Sequence, residues 1–435
     1  MKKPVVIIPG YYGSKLSDVK TGDMVWLDWD GIWNPKTTMR QLRLDEGTGD
    51  KLKPAGIIDE IQLLPFISPD VYKPLIKFLR NKLKREVHSF SYDWRKSLDE
   101  SADLLHEKIK QWLGKSGAAN LDIVAHSFGG LVARAYLQKY GQAAIDTVDW
   151  LITIGSPHKG MLKTFRALTE GITLSPNFKR PEIRETARTL PSAYELIPYA
   201  AADGMFYWGG EKHDAFARDE WCETQEMAEH LGEANRAVTE LLPAEIPVKT
   251  CMIYGTHVEK TDTRVEGGPG TKLEFKESDD GDGTVPRVSA RGDGVAAPAG
   301  LFKYPIPFGH HNVLYDEKPV KDLLTDVLQR GAPPDVHFTS HFRSEKFYRP
   351  RQKNRLVVEF RDGLGSVFPG ADVQLKLIRP RTQTIPVPQT PNGDHVLDMW
   401  MPGPGPNSFL RGEVIASAPG LAEPLRENVF LAAAV

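Results

Sequence analysis

Two cysteines, Cys222 and Cys251, are all that 435 residues contain, too few for a disulfide framework or a paired-cysteine metal site. A single bridge between them stays open, and a reducing compartment fits best. No run of about 18 uncharged apolar residues exists, the length needed to cross a bilayer as a helix. Charge of one sign is also missing: 55 basic against 57 acidic residues give a net −2. Without a basic field there is no electrostatic case for nucleic acid as a partner. Histidines and cysteines form no cluster at metal-ligand spacing, so no metal or other cofactor is expected. Internal repeats and low-complexity segments are absent. The opening Met1-Lys2-Lys3-Pro4 runs directly into Val5-Val6-Ile7-Ile8, too short for a secretory apolar region and followed by no small-residue cleavage site. It reads as a buried first strand, with a cytoplasmic location as the expectation and signal-independent export left open.

What is present is an ordinary globular composition, 40% hydrophobic and 26% charged, in a chain longer than the roughly 250–300 residues at which one core stops growing. At least two units are expected. Short β-branched runs at 5–9, 87–92, 121–125, 150–154 and 248–254, with a weaker one at 301–304, alternate with amphipathic patterns. Ala102, Leu105, Ile109 and Leu113 recur at helical spacing, as do Leu131, Ala135 and Leu137 before Gly141. The rhythm predicts an α/β fold class, a doubly wound, mostly parallel sheet flanked by helices. Two insertions interrupt it. One, about 13–67, carries Trp26, Trp29 and Trp33, for which buried packing is the simpler expectation than a lipid-touching surface. The other, about 158–245, includes a helix from Ala215 onward and reads as a helical cap. Beyond Arg330-Gly331-Ala332-Pro333-Pro334 helical periodicity stops, and alternating runs at 356–360, 373–378, 396–401 and 409–416 predict a β-sandwich-like domain. The expected division is therefore 1–334 and 335–435, joined through a segment at 335–353.

The strongest chemical signal is Leu121-Asp122-Ile123-Val124-Ala125-His126-Ser127-Phe128-Gly129-Gly130-Leu131, a strand, a five-residue turn and a helix start. In α/β-hydrolase architecture a serine at such a corner projects its hydroxyl above the sheet, at a helix N-terminus that favours developing negative charge. Small flanking residues are required for close backbone packing. Ala125 stands where glycine is usual, and Gly129 keeps the second position.

Serine is a weak nucleophile at its ordinary pKa and needs an imidazole base oriented by a carboxylate. In this architecture acid then histidine follow the serine in the chain. The loop Ser278-Asp279-Asp280-Gly281-Asp282-Gly283-Thr284-Val285-Pro286 offers Asp282 as the acid, with Asp280 and Asp279 as alternatives. Phe308-Gly309-His310-His311-Asn312 follows the last strand and offers the base, His310 preferred over His311. The oxyanion of a tetrahedral intermediate needs two N–H donors. The amide of Phe128 is one candidate, and the loop Pro9-Gly10-Tyr11-Tyr12-Gly13-Ser14 supplies the other.

These residues together resemble the lecithin:cholesterol acyltransferase family, which includes lysosomal phospholipases. The resemblance rests on Val5-Val6-Ile7-Ile8-Pro9-Gly10, Gly13-Ser14-Lys15-Leu16, Tyr92-Asp93-Trp94-Arg95, Ala125-His126-Ser127-Phe128-Gly129-Gly130, Ile154-Gly155-Ser156-Pro157-His158-Lys159-Gly160, Leu190-Pro191-Ser192-Ala193-Tyr194-Glu195-Leu196-Ile197-Pro198 and Gly281-Asp282-Gly283-Thr284-Val285. It covers about 4–330 in family order. It implies Ser127 as nucleophile, Asp282 as acid, His310 as base, and Tyr12 and Phe128 as oxyanion amides. It further implies an acyl-ester or phospholipid substrate met at a membrane or lipoprotein surface through a cap and lid. The chain departs from the family in lacking a secretory signal and the extracellular disulfide pattern, and in adding the C-terminal β-region. An esterase for a soluble ester or lactone and an inactive binding scaffold are the competing readings. Nothing in the C-terminal runs selects a protein partner.

Overall fold

A computed structural model describes the chain apart from residues 1, 27–34, 45–50, 60–70, 173–179, 200–203, 218, 343–346, 349–352, 363–364, 369, 380–381, 401–408, 420, 422 and 434–435. The apolar runs form one parallel sheet: β1 (Val5–Ile8), β2 (Val87–Ser89), β3 (Leu121–His126), β4 (Val148–Ile154), β5 (Lys249–Thr256) and β6 (Leu301–Pro307). Their spatial order is β6-β5-β4-β3-β1-β2, with every pairing parallel. β1 and β3 are buried at every position, as strands covered on both faces must be. β6 lies at the sheet edge, where Pro305 and Pro307 cost the fewest ladder bonds. The chain runs from β1 to the edge strand β2, then crosses back to place β3 on the other side of β1. Loops leaving the C-terminal ends of β1 and β3 therefore diverge, and that switch point is where an open α/β sheet binds ligands.

The helix α1 (Leu98–Ser116) buries Leu98, Ala102, Leu105 and Ile109. Ser97 caps it by accepting from the Glu100 amide, and Gly117 ends it at φ 67°, a left-handed conformation glycine adopts without cost. The helix α2 (Phe128–Tyr140) follows Ser127 directly and is buried from Phe128 through Leu137, so it lies inside the molecule on the parallel sheet.

The segment expected as a cap does carry helices, at Leu162–Thr169, Arg180–Ala187, Pro191–Glu195 and Gln225–Leu241. The helix expected from Ala215 is corrected. Only a 3₁₀ turn occupies Ala215–Ala217, and the α-helix starts where the Thr224 side chain accepts from the Met227 amide. The strands of this segment also pair outside it. A hairpin after β5, Thr261–Gly267 with Glu274–Ser278, joins Phe206–Trp208 and Glu211–Lys212 in a four-stranded sheet. In the early insertion, Ser14–Asp18, Met24–Trp26 and Leu52–Ile57 form a small antiparallel sheet. Trp26 is buried and donates its indole N–H to the Tyr12 carbonyl; Trp29 and Trp33 lie outside the described residues. Cys222 and Cys251 are both free thiols.

Beyond residue 335 the described elements are all strands. Three form one antiparallel sheet, Val336–Phe342, Lys353–Asp362 and His395–Trp400. Five form another, Phe347–Tyr348, Asp372–Arg379, Gln383–Pro386, Phe409–Ser417 and Leu425–Ala433. Leu356, Val358, Phe360, Leu375, Val414 and Ala416 pack as a core of their own. The stretch expected as a plain connector at 335–353 contains Val336–Phe342, whose register with Lys353–Asp362 is antiparallel throughout.

Candidate active site

Ser127 sits between β3 and α2 with φ 52° and ψ −126°. An L-residue is strained there, and such strain persists only where surrounding structure enforces it. Close packing is the enforcing element. A methyl group at Gly129 would lie 2.5 Å from the Ile8 carbonyl oxygen, and one at Gly10 would lie 2.8 Å from Ser127 Cβ. The serine corner thus presses against the loop after β1, and both positions require glycine for space alone.

The Tyr92-Asp93-Trp94-Arg95 motif braces that loop. Tyr92 donates its hydroxyl to the Pro9 carbonyl and its amide to Ser14 Oγ, while the Trp94 indole donates to the Ser14 carbonyl. Asp93 accepts two bonds from the buried Arg95 guanidinium, at 2.8 and 2.6 Å. Such a paired fork is geometrically restrictive. Tyr12, at φ 63°, faces the same cavity as Ser127. Phe128 is the first residue of α2, so its N–H has no acceptor within the helix.

The imidazole that meets Ser127 belongs to His311, and the expectation of His310 is corrected. His311 Nε2 lies 2.9 Å from Ser127 Oγ, and its Nδ1 lies 2.7 Å from Asp282 Oδ2. The backbone selects between the two neighbours. The His311 amide donates to the Asp282 carbonyl at 2.9 Å, which turns the His311 ring inward, leaving the His310 side chain exposed. Asp282 is buried, and its Oδ1 accepts the amides of Thr284 and Val285 at 3.0 and 2.7 Å, leaving Oδ2 for the imidazole. Asp280 and Asp279 point elsewhere, onto Arg287 and Arg355.

Two residues the sequence reading passed over complete the site. His126 bonds through Nε2 to the His311 carbonyl at 2.9 Å and through Nδ1 to Tyr72 Oη at 2.8 Å. A carbonyl only accepts, so Nε2 carries the proton and Tyr72 donates to Nδ1. Burial, reinforced by the adjacent His311, lowers the His126 pKa to about 3 and keeps it neutral. Tyr72 Oη in turn accepts the Gly10 amide. A histidine directly before the serine was the available signal. The other residue is Lys163, on the wall of the cavity of about 190 Å³ that Ser127 and His311 line. Its ammonium donates to Thr284 Oγ1 at 3.2 Å, and burial lowers its pKa. The remaining wall is largely apolar, with Met161, Ala167, Ile172, Ala187 and Ala193.

A hydroxyl, an imidazole and a carboxylate in this sequence of contacts can move a proton off serine while it attacks a carbonyl. Residues 70–267 match the lecithin:cholesterol acyltransferase family model. Lecithin-cholesterol acyltransferase-like 4 of Arabidopsis thaliana is 23% identical over 76% of this chain and 76% of its own. The chain is thus similar to lecithin:cholesterol acyltransferase-like proteins over its middle portion. The family match includes Ser127 and ends before Asp282 and His311. Saccharomyces cerevisiae YJR098C is 36% identical over 155 residues, 35% of this chain and 23% of that protein's length. Among solved structures, the Tle4-Tli4 complex has a TM-score of 0.49 at 14% identity, covering 74% of this chain and 96% of that one. Bacillus licheniformis lipase BlEst2 in mature form has a TM-score of 0.37 at 13% identity, covering 75% and 92%. The family match and the plant relative make the chain similar to acyltransferase-like proteins. No helix among the described residues is long and apolar enough to cross a membrane.

Proposed function

We propose that the chain is a serine-dependent acyl-ester hydrolase acting through an acyl-enzyme on Ser127, with a lipid ester as substrate. The observation carrying this reading is the unbroken contact series Ser127 Oγ, His311, Asp282, at 2.9 and 2.7 Å. In the first step the serine oxygen bonds to the ester carbonyl carbon as its proton passes to His311 Nε2. Asp282 stabilises the imidazolium from the Nδ1 side. The N–H groups of Phe128 and Tyr12 take the oxyanion, where preorganised donors contribute most. Collapse breaks the carbon–alkoxide bond, and His311 returns the proton to the departing alcohol. Water, deprotonated by the same imidazole, then releases the acid and restores the serine. An alcohol reaching the acyl-enzyme instead would give acyl transfer by the same steps.

Two features of the cavity support a lipid ester. Its apolar lining suits an acyl chain, and Lys163 adds a half-buried ammonium to the same wall. Asp282 and Asp262 act on that ammonium only from beyond ion-pair distance among the described residues, so an anionic substituent such as a phosphate would supply a direct counter-charge. Turnover of anionic phospholipid vesicles and of a short soluble ester by the wild-type protein and by Ser127→Ala tests the reading. Vesicle hydrolysis that disappears in the variant is expected. Turnover of the soluble ester alone would overturn the lipid assignment, and activity retained in Ser127→Ala would overturn the nucleophile.

A further inference from the structure

The loop that presents Asp282 is held from outside the hydrolase core. Arg287 closes this loop: its amide donates to the Asp280 carbonyl at 2.9 Å, and Gly281 and Pro286 form a bridge across it. The Arg287 guanidinium reaches into the C-terminal region. It donates to Asp394 with Nη1 at 3.0 Å and Nη2 at 3.0 Å, and Glu359 lies 3.8 Å from it. Asp394 and Glu359 are almost completely buried. Arg361 bonds both carboxylates as well. The same two acids reach the end of β5, the strand against which Asp282 packs. Thr256 Oγ1 donates to Glu359 at 3.1 Å, and His257 Nε2 is 3.3 Å from Asp394. Glu359, Asp394 and His257 together have the look of a metal-ligand set, yet two guanidinium groups already lie on these carboxylates. Two buried cations meet two buried anions, and removing one member would leave a charge uncompensated, which is strongly unfavourable.

We propose that the C-terminal β-region is a positioning element for the acid of the site: Asp394 and Glu359, gripping Arg287, fix the loop 279–287 so that Asp282 meets His311. Asp394 and Arg287 are positioning residues; neither reaches the cavity. The inference rests on the proposed Ser127–His311–Asp282 chemistry for its effect on turnover, but its geometric core is observable without turnover.

The test uses the full-length protein and two readouts. A proton shared between His311 Nδ1 and the Asp282 carboxylate gives a far-downfield proton NMR resonance, assigned by its loss in His311→Gln. In Asp394→Asn that resonance is expected to broaden or move upfield, while kcat falls by about 10–100-fold with KM little changed, the scale of a small misplacement in a catalytic group. Arg426→Ala, which removes an exposed pair with Glu413 on a distant strand, is expected to keep both. Should Asp394→Asn not fold, Arg287→Met/Asp394→Leu removes the charges together, which buried pairs often tolerate, and leaves Arg361 balanced by Glu359. A cooperatively folded variant of either kind with the wild-type resonance and kcat would overturn the inference. So would absence of the resonance from the wild-type protein. A wild-type resonance that responds to Asp394→Asn in a protein without esterase turnover would sustain the positioning role and reject the proposed chemistry.

Discussion

His126 donates its Nε2 proton to the backbone carbonyl of His311 at 2.9 Å. The residue before Ser127 thereby holds the loop of His311, and through Tyr72 it also holds Gly10 in the loop after β1. Three loops from three strands meet on one neutral imidazole.

Replacing that imidazole should misplace the base while leaving its chemistry intact. His126→Ala is expected to lower kcat by about 10–100-fold with a smaller effect on KM. It also strands the Tyr72 hydroxyl and the His311 carbonyl in a buried setting, a loss of roughly 1–3 kcal/mol per unsatisfied group. Steady-state kinetics and chemical denaturation of the same preparation measure the two effects.

His310 and His311 differ by one residue and should differ by orders of magnitude. His311→Ala is expected to reduce turnover about 10⁴–10⁶-fold, as removal of a group acting in concert with the nucleophile does. His310→Ala, at an exposed position, should stay within about twofold, since such sites alter free energies by roughly 0.5 kcal/mol or less. The comparison is a single assay on two variants.

This pair also marks how far the amino-acid sequence could be read. The strands on either side of Ser127 were legible because a parallel strand buried on both faces is a continuous β-branched run, and the corner itself combines strand, small residues and helix start. The order of acid and base followed from the architecture. Which of two adjacent histidines turns inward is set by one backbone bond, from His311 N–H to the Asp282 carbonyl, and no side-chain pattern encodes it. The hairpin Thr261–Gly267 with Glu274–Ser278 escaped for another reason. Glu274–Ser278 has no buried residue and Thr261–Gly267 few, so the alternation that reveals a half-buried strand is missing. The helix expected from Ala215 began later because its cap, Thr224, lies nine residues on and not at the first apolar position. The grip of Asp394 on Arg287 joins residues 107 apart, beyond any local pattern.

Glu195 gives a pH dependence of stability. Its carboxyl is buried, accepts the Leu98 amide, and has its pKa raised by burial from 4.5 to about 8. The folded protein therefore holds this proton more tightly than the unfolded chain, and stability from this group is fully present below about pH 4.5 and lost as pH rises through about 8. Glu195→Gln keeps an acceptor oxygen and cannot ionise. Its thermal midpoint, relative to wild type, is expected to improve progressively as pH rises across that window. Parallel pH dependences in the two proteins would show that Glu195 does not titrate as described.

Lys163 should govern the charge of the preferred ester. Lys163→Met retains the length of the side chain and removes its charge, and is expected to raise KM for an anionic ester about tenfold, equivalent to roughly 1.4 kcal/mol. KM for a neutral ester of the same acyl length should change little or fall. The ratio of the two KM values, measured in wild type and variant, isolates the charge.

The central claim is that Ser127 is an activated nucleophile, and covalent labelling tests it most directly. Purified protein is incubated with a fluorophosphonate, digested, and its adduct located by mass spectrometry, with Ser127→Ala and His311→Ala in parallel. The account expects one phosphonylated residue, Ser127, no adduct in Ser127→Ala, and strongly slowed labelling in His311→Ala. Folded wild-type protein that takes no label, or takes it on a different serine, would contradict the account.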